Sequence, residues 1–585
     1  MTDYFEVHER DAAARVGELR LSEPVTTPAL ADDVIEDAGS RWTQPQEAPE
    51  GDESVLTVLP HRAFPSGTAD EVQESFAPDY PDVDYPSAAV VSPETAENFG
   101  ADAYVLSGAP GTVGHGSAFK DAVIETREAV PDDTALYLSG VATPRNVAVL
   151  VYAGVDLVDA DRAVIRGTQA TYLTTEGEYD FADLDELPCS CPACQQPADA
   201  FDREDCVEHN VNALKAELAR VRRRIRDGRL RDYVEGQARH EAWLTAAFRE
   251  FDQQYGYVEA RTPAYRDSLL LSSTEDALRR VEIQRFADRV TSRYRKRLDG
   301  HPLLLVPCSA RKPYSDSQSH RQFQDAASYR AHMVSMTSPI GVVPQELELT
   351  YPAQHYDSVV TGRWSAEEKD FVARVLRRYL ERTDYSRVIA HVPPEGYRDI
   401  CERVADQVDV PFEYTVEDHP TTDASLGELN AALAGEDKIW VQEREEATLK
   451  AVADFYFGDG AGDEVFDDIE VQGRYPKLQA LDGDTGDQLA ALVPQYGSLS
   501  FTLAGARKWV DSDAPTKRVD IDGFVPQGSV LAPGVVDASD DIRVGDEVVV
   551  EGPAAFAVGR AEMPGPAMAD ATRGMAVQVR HCVEK

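Results

Sequence analysis

Long apolar runs are missing from this chain. No stretch approaches the ~20 consecutive apolar residues that a membrane span needs, and the polar start MTDYFEVHERDAAARVGEL lacks the apolar core of a signal peptide. Both absences point to a cytoplasmic protein with no membrane partner. Cysteine is scarce as well: there are seven in 585 residues, three of them between Cys189 and Cys194. That excludes a disulfide framework and leaves a metal site or a reactive thiol. Positive charge is also in short supply. Lys and Arg total 58 against 104 Asp and Glu, a net charge of −46, and Lys is rarer than Arg. Alone, this balance argues against a polyanionic partner. The acids are scattered over the whole chain rather than gathered in a tail, the pattern of an ordinary enzyme adapted to a very salty cytoplasm. In molar salt the Debye length falls to ~3 Å, so the net charge repels RNA only weakly.

What is present suffices for globular cores throughout, with 42% hydrophobic residues; at this length roughly three to five domains are expected. Residues 22 to 60 read as loops with short strands. From about residue 87, AAVVS, AYVLSG and ALYLSG read as strands and SAFKDAVIETREAV as a helix, an alternation consistent with part of an α/β barrel. Next comes C-x-C-x-x-C, Cys189, Cys191 and Cys194, followed by His209. Three thiolates and an imidazole meet the tetrahedral demand of Zn²⁺, and four protein ligands make the site structural rather than catalytic. Cys206 is also in reach, because Cys206-x-x-His209 shares one helical face. The helical stretch after it carries Arg220, Arg222, Arg223, Arg224, Arg226, Arg229 and Arg231. Pairing with Glu217, Asp227 and Asp232 is preferred over RNA contact for these.

The densest chemistry lies in LLLVPCSARKPYSDSQSH, Leu303 to His320. Leu303 to Val306 read as a buried strand, and the polar run after Pro307 as the loop at its carboxyl end, where open α/β sheets bind ligands. Cys308, Lys312, Tyr314 and His320 are candidate catalytic groups, and Ser309, Ser315, Ser317 and Ser319 add hydroxyls. A solvated surface loop is the alternative. SRVIAHV and PFEYTV read as further strands, and SAEEKDFVARVLRRYLERT as a helix opened by a capping box of Ser365 and Glu368. The alternation implies a parallel sheet covered on both faces, with Pro393 to Tyr397 facing the same edge as the Cys308 loop. A further polar stretch, GVVPQELELTYPAQHYDSVVTGRW, supplies Glu346, Glu348, Tyr351, His355, Tyr356 and Asp357. From about residue 515 the chain reads as short strands, with Gly at 528, 534, 545, 559 and 574 suiting turns of positive φ.

Several of these pieces resemble known families. Leu138 to Gly167, with its Gly-Val-Asp run, is similar to a segment of tRNA-guanine transglycosylases. That likeness implies Asp156 as a nucleophile attacking ribose, with Asp159 beside it; a turn or N-cap aspartate is the other reading. The cysteine motif with His209-Asn210 resembles the structural zinc site of the same family. The family's second acid has no counterpart in VVSPETAENFGADAYVLSGAPG, which implies a truncated relative without base exchange. The Cys308 loop resembles the Pro-Cys-Ser-x-x-Lys-Pro-Tyr-x-x-Ser-x-Ser-His signature of archaeosine synthases at Pro307, Cys308, Ser309, Lys312, Pro313, Tyr314, Ser317, Ser319 and His320. ADFYFGDGAG and VQGRYPKLQAL look like the small domain of archaeal transglycosylases. Gly528 to Gly534, Ile542 to Val548 and Val558 to Ala561 resemble a PUA domain, a small RNA-binding barrel. There Arg518, Arg543, Arg560, Arg573 and Arg580 are candidate phosphate contacts.

Together the resemblances imply a tRNA-modifying enzyme whose substrate is tRNA carrying 7-cyano-7-deazaguanine in the D-loop. Free lysine is the amine donor to the nitrile, and a separate radical-SAM partner enzyme cleaves the lysine adduct. In that scheme Cys308 attacks the nitrile to give a thioimidate that lysine displaces. Lys312 favours the thiolate, and Tyr314 or His320 supplies a proton. Ser309, Ser317, Ser319, Glu346 and Asp357 bind substrate. Zn²⁺ is expected as a structural ion, no nucleotide cofactor is expected, and a homodimer is. Two other functions compete: a working transglycosylase using Asp156, and a non-catalytic tRNA-binding subunit. The fold class expected is multidomain α/β and α+β. Its parts are a partial (β/α) barrel with the zinc segment and helices over 1–265, a central α/β catalytic domain over 266–440, a small α+β domain over 441–512 and a PUA β-barrel over 513–585.

Overall fold

A computed structural model describes residues 3–42, 47–65, 67–359 and 363–585. The chain divides into two compact units, one formed by Met1–Pro263 with Leu531–Val535 and Met563–Ala576, the other by Ala264–Val530 with Val536–Glu562 and Val577–Lys585.

In the first unit, short runs of small and β-branched residues build a seven-stranded parallel sheet. Its order is Ala29–Leu30, Leu157–Val158, Ala135–Leu138, Ala103–Leu106, Ser87–Val91, Leu56–Val58, Ile35–Asp37. Ser87–Val91, Ala103–Leu106 and Ala135–Leu138 are buried along their whole length, as strands covered on both faces must be. The helix Gly116–Ala129 buries Phe119, Ala122, Val123 and Thr126, the spacing of one helical face. This is the expected half-barrel. After it, the antiparallel pair Thr171–Leu173 and Glu178–Asp180 leads into the helix Arg203–Arg226. A capping box of Asp202 and Asp205 opens that helix, which buries Cys206, His209 and Asn210. Basic residues on and just after it are held as expected: Arg220 on Glu217, Arg223 on Asp227 at 2.9 Å, and Arg229 on Asp232 at 3.1 Å.

In the second unit a five-stranded sheet runs Gly341–Pro344, His332–Thr337, Leu303–Pro307, Val388–Ala390, Phe412–Tyr414. The last four strands are parallel and Gly341–Pro344 is antiparallel at the edge. Alternate residues of the central strand serve two cores. Leu303 and Leu305 pack with Phe286, Phe371 and Leu376, while Leu304 and Val306 pack with Phe323, Ile389 and Leu429. The helix Ala366–Arg382 carries the Ser365 and Glu368 capping box. His332–Thr337 and Gly341–Pro344 were not expected as strands from the sequence. Polar His332, Ser335 and Thr337 interrupt the apolar pattern, yet all three are buried.

The helix Val441–Phe457 precedes an antiparallel sheet of Ile469–Arg474, Lys477–Asp482, Gln488–Val493 and Ser498–Phe501. Arg518–Ile521 then pairs parallel with Glu547–Glu551, which pairs antiparallel with Ala555–Ala561, and that strand with the residues from Val577 onward. No helix among the described residues is long and apolar enough to cross a membrane.

Candidate functional site

The strand Leu303–Pro307 delivers Cys308 to the carboxyl edge of its sheet, where the Cys308 N–H donates to the Met336 carbonyl at 3.0 Å. The thiol is half-buried, and its Sγ lies 3.2 Å from the Tyr397 hydroxyl. Tyr397 opens the helix Tyr397–Ala405 after the neighbouring strand Val388–Ala390, and its ring packs 4.4 Å from that of Trp364. The two strand-end loops therefore converge as parallel-sheet topology requires. Burial pushes the Tyr397 phenol well up, and Cys308 adds to the shift, so the phenol stays protonated and able to donate.

Lys312 is half-buried, with Nζ 3.7 Å from the centroid of the Tyr356 ring, a cation–π contact. Burial lowers its pKa, and Cys308 and Asp357 act against that. Asp357 itself is exposed. The Tyr314 hydroxyl lies 2.7 Å from that of Tyr356, which lies 2.7 Å from Thr337 Oγ1. Cys308, Lys312, Tyr314, Tyr356 and Tyr397 thus form one cluster. Tyr356 and Tyr397 were part of the stretches read from sequence but not assigned a role. The topology brings them in.

Ser317 caps the helix Gln318–Ala327, its Oγ accepting from the His320 N–H at 3.2 Å. The same Oγ lies 3.0 Å from His320 Nδ1, and Ser335 Oγ lies 3.0 Å from Nε2. Burial pushes the His320 pKa down to about 4. His320 is therefore a neutral imidazole pinned on both nitrogens and stacked 5.0 Å from Tyr314, a wedge rather than a store of protons at neutral pH. Ser319 lies 3.4 Å from Ser317 Oγ, and Ser309 accepts from the Arg311 N–H at 3.3 Å.

Glu346 lies apart from Cys308. It is buried against His332 Nε2 at 2.9 Å, and His332 outweighs the burial that would raise its pKa, holding the carboxyl below its ordinary value. Glu346 lines a cavity of about 440 Å³ together with Tyr314, Ser315, His320, Ser335 and Glu348. Glu348 accepts from the Ser315 N–H at 2.8 Å and the Tyr475 hydroxyl at 2.6 Å. Burial raises its pKa against those two bonds.

In the first unit Cys189, Cys191, Cys194 and His209 place their ligand atoms within 4.8 Å of one another. Cys191 Sγ lies 3.6 Å from Cys194 Sγ and 3.6 Å from His209 Nδ1, and Cys194 Sγ lies 3.3 Å from that Nδ1. The edges of a tetrahedron with Zn–S bonds of about 2.3 Å are about 3.7 Å, so the donors fit such an ion. His209 Nε2 lies 2.9 Å from the Leu173 carbonyl, which fixes the tautomer that leaves Nδ1 free for a metal. Cys206 is fully buried beside this set and outside it.

Asp156 precedes the strand Leu157–Val158 and is 1% exposed. One oxygen accepts from the Leu136 N–H at 2.8 Å, and both are held by Arg15. Ligands of such barrels bind at the carboxyl ends of the strands, so this position lends the nucleophile reading no support. Asp159 follows the strand at the carboxyl end, accepting from the Tyr137 hydroxyl and the Gly140 N–H, each at 2.8 Å. The expected phosphate contacts are already partnered. Arg518 meets Glu551 at 3.4 Å, Arg560 meets Glu562 at 3.0 Å, Arg580 meets Glu547 at 2.7 Å, and Arg573 meets Asp3 at 3.3 Å. Arg543 donates to the Asp540 carbonyl at 2.7 Å.

Four family profiles match the chain. They are described as queuine tRNA-ribosyltransferase over residues 84–242, a domain of unknown function (DUF5591) over 283–433, the patch-forming domain C2 of tRNA-guanine transglycosylase over 447–515, and the PUA domain over 524–583. The Cys308 loop falls in the second. Over the full length of both chains, the sequence is 67% identical to archaeosine synthase of Haloferax volcanii. It is 42% identical to archaeosine synthase subunit alpha of Methanosarcina acetivorans, with 99% of each chain covered. To tRNA-guanine(15) transglycosylase of Methanothermobacter thermautotrophicus it is 27% identical over 79% of this chain and 68% of that one.

Proposed function

Because the chain belongs to the archaeosine synthase family, we propose that it adds the ε-amine of free lysine to the nitrile of 7-cyano-7-deazaguanine in the D-loop of tRNA. The observation that carries this reading is the Cys308 thiol 3.2 Å from the Tyr397 phenol at the carboxyl edge of a parallel sheet. A nitrile needs a nucleophile at carbon and a proton at nitrogen, and this pair offers both.

The thiolate of Cys308 adds to the nitrile carbon, and the nitrogen takes a proton from Tyr397, giving a thioimidate. The lysine amine then adds to the same carbon. The C–S bond breaks as the thiolate leaves, and the proton lost by the amine returns to the phenolate. The product is an amidine, with no redox change and no further reactant. Lys312, lowered by burial, lies beside the thiol and favours its anion. His320 and Tyr314 hold the loop in place. A radical-SAM partner enzyme would consume the lysine adduct.

The remaining parts of this reading are the half-barrel and PUA domain as the tRNA grip, zinc as the ion at Cys189, Cys191, Cys194 and His209, a homodimer, and the four domains divided at 265, 440 and 512. Base exchange is left out because Arg15 holds Asp156.

The test is a single-turnover reaction of tRNA bearing the cyano base with labelled lysine at high salt, read by nucleoside mass spectrometry. Wild type is expected to give the adduct. Cys308→Ala is expected to lose it by at least about a thousandfold, as for removal of a covalent nucleophile, while still binding tRNA. Full activity in that variant would leave proximity alone as the source of rate and end the thioimidate.

A further inference from the structure

The cavity beside the Cys308 loop is long and carries opposite charges at its ends. It follows the helix Gln318–Ala327 from Ser315 and His320 to Tyr329, with Arg444, Glu445 and Thr448 of the helix Val441–Phe457 also lining it. At about 1.5 Å per residue its ends are roughly 12 Å apart. Two buried acids line it: Glu348, which accepts from the Ser315 N–H at one end, and Glu346, which meets His332. At the other, the Arg444 guanidinium lies 4.2 Å over the Tyr329 ring. Arg444 is half-buried, its Nε has no hydrogen-bond partner, and it forms no ion pair among the described residues. Burial lowers its pKa, and Tyr329 and Glu445 offset only part of that. Between the ends lie Leu298, Met333 and Val343.

An unpaired guanidinium, an apolar middle and two buried acids complement a molecule with a carboxylate at one end, a methylene chain and a cation at the other. We propose that this cavity is the binding site for the amine donor, an α-amino acid with a long cationic side chain. Arg444 takes the α-carboxylate and Glu445 the α-ammonium. The methylenes run over Met333 and Val343. The terminal amine reaches the Tyr314 and His320 end, and through the Tyr314 hydroxyl that end adjoins Tyr356, Lys312 and the thiol. The assignment rests on the amine-transfer reading above and adds to it the site and the basis of selection. A chain with one cationic end and no carboxylate leaves Arg444 unpaired.

The experiment compares lysine with cadaverine, which lacks the carboxylate, using the full chain and tRNA bearing the cyano base in molar KCl. Wild type is expected to prefer lysine. Arg444→Gln should lose about tenfold to a hundredfold of that preference, the worth of one charge-assisted hydrogen bond, with the loss falling on the KM for lysine. Arg444→Glu should invert it. An adduct formed by wild type with the preference unchanged in both variants overturns the cavity assignment and leaves amine transfer standing. If wild type forms no adduct, amine transfer itself falls. Calorimetric titration of lysine into wild type and Arg444→Gln then reads the cavity alone: binding lost in the variant supports the site, whereas equal binding or none overturns it.

Discussion

Burial holds His320 and His391 neutral, each with its pKa pushed down to about 4, and this ties the stability of the Cys308 loop to pH. In the unfolded chain histidine titrates near 6.5. Between pH 6.5 and 4 the unfolded state therefore binds more protons, so stability is complete above 6.5 and is lost as pH falls towards 4. Each imidazole accounts for about 3 kcal/mol across that window. Urea unfolding at pH 7.5 and at 4.5, at fixed high salt, should show His320→Asn losing less stability on acidification than wild type; equal losses would mean that His320 does not report its burial. At this scale the sequence conveyed the chemical types in the loop but not their duties. Ser317-x-x-His320 has the spacing of a helix cap, and the cap is what Ser317 provides. Tyr397 was placed at the same sheet edge as the Cys308 loop, but its contact with the thiol was not legible, because that depends on how Leu303–Pro307 and Val388–Ala390 pair.

Among the elements, the cluster of Cys189, Cys191, Cys194 and His209 was the most legible, since its spacing is that of a metal site. That Cys206 packs beside these donors without joining them was not, because position on a helix face does not say which neighbour that face meets. Metal analysis is expected to find about one zinc per chain. Cys194→Ser should lose most of it, with a lower midpoint of thermal unfolding, because the four ligands otherwise tie the segment from Cys189 to Cys194 to the helix Arg203–Arg226. Cys206→Ser should keep the metal, and loss of metal there would put Cys206 among the ligands. Strands with continuous apolar runs, such as Leu303–Pro307, were readable. His332–Thr337 was hidden by buried polar residues whose partners lie far along the chain, as when His332 meets Glu346 and Tyr385.

For the whole molecule, a net charge of −46 makes the folded state costly unless salt screens it. Screening length grows from ~3 Å at 1 M to ~10 Å at 0.1 M. Thermal unfolding in KCl should show a midpoint rising steeply from 0.1 to 2 M, and a flat profile would remove self-repulsion from the account. The halophilic composition was legible from the charge counts; the way its few cations are committed was not. Arg518, Arg560, Arg573 and Arg580 each hold an acid, so few free cations remain there to displace the ions condensed on a nucleic acid. In a medium already dense with ions, releasing more gains little entropy. Affinity for tRNA should then change by less than about tenfold between 1 and 3 M KCl. Such a protein would recognise the contour and stacked bases of its RNA more than its phosphates.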